Sequence, residues 1–458
     1  MGRTGRRGGY NGPVLTRYTL LAACFALAAL IGSTVACQSQ ERPPNVVVIL
    51  TDTLRANYLG VYGYPKETAP FLADLAERAV VFDRAFSTSS WTAPSTSSLF
   101  TSLYPNQHGV VEGFMMRRKR NNRLAKQGEE TIALNRLPAG VVTLPERFRA
   151  LGYATFGMAS NPIIWDEMGF SRGFDEFRRD LKATADDFVE QVKAWKGRLQ
   201  QSSPFFLYLH LNDVHGPYEA HEPYYEEQQD WLEDRRARYL SEIGYVDEHI
   251  REVYETLNLA EDTILVLLSD HGEEFRDHGG LTHFTSLYVE LNRVMMMFHS
   301  PPMGLDPKRV DSNVSLIDVL PTLVDLVSGE PVVSAEGVSL APILRNDEAS
   351  EALTDQLRRR TLFAHRLPRY NPNPYWGAIW RHWKVIERPD ASLEAYDHRS
   401  DPIEKRNLYS RDPSQVPARL IAALEEFKTR EPVEAPSTIQ VEVDEELERT
   451  LESLGYVQ

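Results

Sequence analysis

Cysteine is nearly absent from this 458-residue chain: there are two, Cys24 and Cys37, and none beyond residue 37. Everything after that point therefore lacks disulfides, thiolate nucleophiles and cysteine-ligated metal. A surplus of positive charge is also missing. Fifty Lys and Arg face 65 Asp and Glu, for a formal net charge of −15. Nucleic acid, whose binding rests on neutralising phosphates, is excluded as a partner on that balance. Long apolar runs are lacking too; the longest is "YTLLAACFALAALIG" at 18–32, short of the roughly 20 residues that span a bilayer. What remains is 42% apolar and 25% charged, a composition that suits a folded chain with a sizeable core and excludes disorder. No internal repeat is visible.

The first 37 residues carry Arg3, Arg6, Arg7 and Arg17 and no acid, then the apolar run, then "STVAC". That order of basic, apolar and small residues is an export signal. The small residues before Cys37 resemble a bacterial lipobox. The expectation is a periplasmic or cell-envelope lipoprotein held to the membrane by a lipid on Cys37, with plain secretion or an uncleaved anchor as alternatives. Loss of the leader takes the net charge to about −19. Residues 38–44 then form a tether.

Beyond it the chain alternates. "VVVIL" (46–50), "FFLYLHL" (205–211) and "TILVLLS" (263–269) are apolar runs of strand length, while "APFLADLAERAVV" and "RARYLSEIGYVDEHIREVYETL" have helical periodicity. Strands alternating with helices predict an α/β fold, a mostly parallel sheet sandwiched by helices. It is expected over 45–344. A small α+β subdomain follows over 345–430, where "NPYWGAIWRHWKVIE" and "EAYDHRSDPIEKRNLYS" are rich in aromatics and turns. Residues 431–458 read as a linker and a terminal helix. The basic stretch "MMRRKRNNRLAKQGEE" (115–130) breaks the alternation; it is either a solvated surface insertion or a loop facing substrate.

Chemistry-bearing residues stand where the three apolar strands end. Asp52 follows the first, His215 the second within "NDVHGP", and Asp270 with His271 the third. Open α/β sheets bind ligands beyond the carboxyl ends of their strands, so these side chains are expected to converge. Between them, "FSTSSWTAPSTSSLFTSLYPNQHGV" (86–110) crowds hydroxyls around Pro94 ahead of an apolar helical run. Its Ser and Thr residues read first as helix caps.

Six segments in this order, "NVVVILTDTLRANYLGVYGY", "SWTAPSTSSLFTSLYPNQHGV", "FLYLHLNDVHGPY", "LLSDHGEEFRDHG", "SLYVELNRVMMMF" and "LEAYDHRSDPIEKRNL", resemble the sulfatase family of the alkaline-phosphatase superfamily. The resemblance spans nearly the whole chain after the leader and implies that superfamily's fold. Three departures stand out. Sulfatases of the usual type present C-x-P-S-R or S-x-P-S-R, whose first residue becomes formylglycine; here the segment is Thr92-Ala93-Pro94-Ser95-Thr96. Oxidising a threonine gives a ketone rather than an aldehyde, and the motif's arginine is gone. Thr53 replaces the second Asp of the usual pair after the first strand. "GYATFGMASNP" offers Met158 to Asn161 where a sulfate-contacting Lys and His are usual.

What remains resembles another branch of the superfamily, the phosphoethanolamine transferases and lipoteichoic acid synthases. Their metal is held by one acid, a Thr nucleophile and an Asp-His pair, which the resemblance maps to Asp52, Thr92, Asp270 and His271. Two further histidines serve the leaving or entering group in that branch, and His215 and His283 match them; His108 reads as structural. One divalent metal ion is implied, and the imidazole ligand favours zinc or manganese over calcium or magnesium. The expected activity is hydrolysis of a sulfate or phosphate ester through unmodified Thr92, on a small anionic ester or a glycan or lipid head group. A head-group transferase of the same fold is one alternative, although such transferases carry several membrane spans. A catalytically silent lipoprotein that binds an anionic glycan is the other.

Overall fold

The computed structural model describes residues 42–111, 131–283, 285–367, 373–435 and 437–442, together with Gly9 and Arg449. Apart from Gly9 and Arg449, the leader with Cys37, the basic stretch 115–130 and the expected terminal helix lie outside the described residues. Within the unit from Pro44 onward, the strands in chain order begin with β1 (Asn45–Thr51), β2 (Val80–Phe86), β3 (Thr131–Arg136), β4 (Ala154–Ala159), β5 (Glu176–Arg179), β6 (Phe205–Leu211) and β7 (Thr263–Ser269). They continue with β8 (Arg293–Val294), β9 (Met296–His299), β10 (Lys308–Ser315), β11 (Leu362–Arg366), β12 (Tyr375–Trp380), β13 (Trp383–Glu387), β14 (Leu393–Asp397) and β15 (Ser437–Glu442).

One large sheet runs β10-β2-β9-β7-β1-β6-β4-β5, with β8 paired to β2. Its centre is parallel: β1 pairs with both β6 and β7, and β4 with β6. Only the short β8 and β9 run antiparallel to their neighbours. Every residue of β1, β6 and β7 is buried, the mark of a parallel sheet covered on both faces. Alternation along the pleat divides them. Val46, Val48 and Leu50 join a core shared with Leu99, Phe100, Phe148 and Leu320, while Val47 and Ile49 join one shared with Leu72, Phe188, Tyr239 and Ile243. Helices Thr92–Thr101, Leu144–Ala150 and Val319–Ser328 thus cover one face. Helices Pro70–Ala76, Ala185–Gln201 and Trp231–Leu257 cover the other. The sandwiched α/β sheet expected from the sequence is the fold.

A four-stranded antiparallel sheet, β11-β12-β13-β14, follows. Helix Ala418–Lys428 packs on it through Leu420, Leu424 and Phe427, and the same core takes in Tyr104 and Ile317 of the main body. The small sheet therefore shares a core with the main body while remaining a separate sheet. Its edge reaches the hydroxyl-rich segment, where the His365 N–H donates to the Thr88 carbonyl at 2.9 Å. The segment read as a linker behaves differently: β15 pairs antiparallel with β3, from Ser437 opposite Arg136 to Glu442 opposite Thr131. Among the described residues no helix is long and apolar enough to cross a membrane.

Candidate active site

The pleat that sorts the core also aims the chemistry. Val46, Val48 and Leu50 point to the face covered by helix Thr92–Thr101, so Asp52 points there too; the same parity carries Phe206 and Tyr208 on to His210, and Val266 and Leu268 on to Asp270. Thr51 is in register with both Leu211 and Ser269, which places Asp52 and Asp270 side by side just past the strand ends. Thr92 comes from the helix above. Trp91 is the residue that caps this helix, and it caps without its side chain. The Thr92 hydroxyl is turned away from the backbone, toward Asp52 (3.2 Å to Oδ2, 3.4 Å to Oδ1) and His271 Nε2 (3.3 Å). The capping reading of the hydroxyls thus fails at the residue where it matters.

His271 Nδ1 faces the Gly272 carbonyl at 2.9 Å, so it carries the proton and Nε2 presents a lone pair. That lone pair lies 3.3 Å from Asp270 Oδ2 and 3.6 Å from Asp52 Oδ1. The second oxygen of each carboxylate is occupied. Asp52 Oδ2 accepts from Asn161 Nδ2 at 2.6 Å and lies 3.0 Å from His210 Nε2, whose Nδ1 meets the Tyr208 hydroxyl at 2.8 Å. Asp270 Oδ1 accepts from the backbone N–H groups of Thr53 and His271 at 3.1 and 2.8 Å.

His283 and His215 stand next to this cluster, with the His283 ring centroid 4.6 Å from that of His271 and 4.9 Å from that of His215. The six residues singled out in the sequence are thus gathered in one buried place. His108 is apart: its Nδ1 accepts from the Val110 N–H at 3.1 Å, and its Nε2 meets the Pro94 carbonyl and the Ser98 hydroxyl at 3.2 and 3.1 Å.

Electrostatics separate the two acids. Burial alone would raise Asp52, but the hydrogen bond and charge of His210, with His271 and His215, hold it well below the carboxylate range. Burial and the adjacent Asp52 charge push Asp270 far above it. Burial lowers His271, with Arg366 of β11 adding to the effect. His215 falls to about 4 through burial and the neighbouring His283.

The donor set fits a cation. Asp52 Oδ1, Thr92 Oγ1, His271 Nε2 and Asp270 Oδ2 are linked by separations of 3.3 to 3.6 Å. Ligand bonds of ~2.0–2.1 Å in a tetrahedron put neighbouring donors about 3.3 Å apart. The two fully buried carboxyl groups face the imidazoles of His210 and His271. Asp52, His210 and Asp270 also offer atoms within 4.8 Å of one another. His210 was overlooked in the sequence, although an imidazole in the otherwise apolar "FFLYLHL", on the parity of Tyr208, is a readable signal. Asn161, two residues past Ala159 at the end of β4, was read only as a departure from the sulfatase pattern.

A mostly parallel sheet with polar side chains gathered beyond the carboxyl ends of its central strands is the α/β fold shared with sulfatases of known structure. The chain belongs to the sulfatase family, which matches residues 44–329. The Delta 4,5-hexuronate-2-O-sulfatase of Bacteroides thetaiotaomicron is 24% identical, over 88% of this chain and 92% of its own. Among solved structures, a 2-O GAG sulfatase aligns with a TM-score of 0.68 at 21% identity, covering 85% of this chain and 92% of that one. A phosphonate monoester hydrolase of Agrobacterium radiobacter aligns at 0.66 and 18% identity, covering 84% and 95%. At such identities the structural likeness is one of fold.

Proposed function

We infer that this sulfatase-family protein hydrolyses sulfate or phosphate esters outside the cytoplasm, with the unmodified Thr92 hydroxyl as nucleophile. The observation that carries the reading is the aim of that hydroxyl: it is buried, spared from capping, and directed at Asp52 and His271. Asp52, Thr92, Asp270 and His271 would hold one divalent cation, zinc or manganese by the imidazole in the set. Bound there, the cation would supply positive charge that lowers the pKa of the Thr92 hydroxyl and offsets charge on the group being transferred.

The chain's own residues do the rest. Asn161 and His210 fix Asp52 by holding its Oδ2, and the backbone N–H groups of Thr53 and His271 fix Asp270. Thr92 Oγ1 attacks sulfur or phosphorus, giving a sulfo- or phosphothreonine on the chain. His283 and His215 serve the leaving oxygen and the entering water. Relatives named as a hexuronate-2-O-sulfatase and a phosphonate monoester hydrolase support an anionic ester as the substrate class.

The test is turnover of paired aryl sulfate and aryl phosphate esters by the purified protein, first chelated and then supplied with zinc, manganese, magnesium or calcium. Hydrolysis restored by a divalent ion is expected. Hydrolysis at full rate after complete chelation would contradict the proposed site.

A further inference from the structure

The motif "SDHGEEF" supplies a carboxylate that the reaction described above leaves idle. Glu273 is 1% exposed, two residues past His271, and its side chain is stretched between two others. Its Oε2 accepts from the Tyr218 hydroxyl at 2.6 Å, and its Oε1 faces His283 Nδ1 at 3.3 Å. The backbone beneath is pinned as well: Arg55 Nη1 donates to the Glu273 carbonyl at 3.0 Å, and the same guanidinium pairs with Asp277 at 2.8 Å. Tyr218 is itself locked, with its ring edge-on to Tyr239 at 5.3 Å and the Arg235 guanidinium 4.7 Å above it. A buried acid bonded on both oxygens, on a pinned backbone, is a rigid handle on an imidazole.

We propose that Glu273 is a positioning residue for His283: its carboxylate accepts a hydrogen bond from Nδ1–H, fixes the ring, and directs Nε2, at the opposite corner, to exchange protons with the ester. This rests on the role given to His283 in the ester hydrolysis above. Thr92 reacts as the alkoxide, its hydroxyl proton already given up to solvent; as its Oγ1 bonds to sulfur or phosphorus, the bond to the leaving oxygen breaks. That oxygen keeps the electron pair and takes the proton from Nε2 of the imidazolium, whose charge faces Glu273. The ring is then neutral, with Nδ1–H still donated to Oε1. In the second half, water gives its proton to Nε2 and its hydroxide to sulfur or phosphorus, Thr92 departs with the electron pair of its ester bond, and the imidazolium is restored. Glu273 bonds to neither reacting partner. An imidazole without it has two tautomers and a free ring torsion, and only part of that population presents a usable Nε2.

The experiment compares the full chain with Glu273→Gln, Glu273→Ala, His283→Ala and the Glu273→Ala/His283→Ala double variant on aryl esters graded in leaving-group acidity, from dinitrophenol to phenol. General acid help is worth ~100-fold or more where the leaving group is poor, and little where it is good. Glu273→Ala should therefore lose about 100-fold on the phenyl ester and only a few-fold on the dinitrophenyl ester, with bound-metal content unchanged. Glu273→Gln should fall between it and the wild type. The double variant should be no slower than His283→Ala alone, because both changes remove one function. An even loss across the series, or losses that multiply in the double variant, would overturn the proposal. Thr92→Ala is run in parallel: its retention of activity would strike the nucleophile reading and leave the leaving-group pattern to be judged alone. Nitrogen-15 spectra of the histidine side chains give a readout without turnover. His283 should be protonated at Nδ1 in the wild type and distributed over both tautomers in Glu273→Ala, and an identical tautomer in both proteins would also overturn it.

Discussion

At Thr53 a β-branched residue sits at φ 55°, in the left-handed region that such side chains avoid at a cost of about 1–3 kcal/mol. Three hydrogen bonds hold it there: its hydroxyl donates to the Val214 carbonyl at 2.7 Å, its carbonyl accepts from Tyr239 at 2.7 Å, and its N–H donates to Asp270 Oδ1. The strained turn thus aims Asp270 Oδ2 at His271, which explains how a site lacking the family's second aspartate keeps its geometry. None of this is legible in the sequence, where Thr53 registers only as a missing acid. Asp52, Asp270 and His271 were legible because strand ends concentrate ligands. Asn161 was not, since nothing local says that an amide after β4 will meet a carboxylate 109 residues earlier. His108 gives a prediction at this scale. Burial lowers it to about 3, from an ordinary value of 6.5. The unfolded chain therefore binds the proton first as pH falls, so stability contributed by the neutral ring is present above pH 6.5 and is lost progressively toward pH 3. Denaturant titrations between pH 7 and pH 4 should show this fall, and His108→Gln should flatten it; equal slopes in the two proteins would remove His108 as its source.

Among elements, the central strands were the most legible, because an unbroken apolar run between polar ends has few readings in an alternating chain. The β3 and β15 pair was the least legible. "TIALNR" and "STIQVE" are some 300 residues apart, and antiparallel pairing over that distance leaves no local mark. The small sheet was expected as a subdomain packed on the first domain, and its motif "DPIEKRNL" supplies one such contact with the main body. Glu404, 1% exposed, accepts from the Val289 N–H at 2.8 Å, and its carbonyl meets His278 Nε2 at 2.8 Å. On its own side it pairs with buried Lys384 at 3.1 Å and with His398 at 2.6 Å. Burial would raise this carboxyl, but the Lys384 charge and the His398 hydrogen bond bring it down to about 2. Glu404 therefore fastens the small sheet to the segment that follows His283. Removing it strands the Lys384 charge in the interior, so Glu404→Ala should cost about 3–5 kcal/mol in equilibrium unfolding. A loss below about 1 kcal/mol would show that the contact does not hold the two sheets together.

For the molecule as a whole, the proposals about location rest on the leader, and those about chemistry rest on the buried site. The proposal that the chain is exported rests on its basic, apolar leader, and the absence of cysteine past residue 37 leaves stability to the apolar cores on the two faces of the sheet. In a bacterial host the protein should incorporate labelled fatty acid and lose it in Cys37→Ser; label that survives the substitution would contradict attachment at Cys37. The central claim is narrower, that a threonine no oxidation could turn into an aldehyde does the work of the family's nucleophile. Its most direct measurement is the mass of the peptide containing Thr92, recovered from protein quenched in acid during turnover of an aryl ester. The account predicts one sulfuryl or phosphoryl group on Thr92, absent from Thr92→Ala, whose turnover falls by roughly a thousandfold or more, about 4 kcal/mol of barrier, while its fold is retained. An unmodified Thr92 peptide from an enzyme in steady turnover, together with undiminished activity in Thr92→Ala, would contradict it.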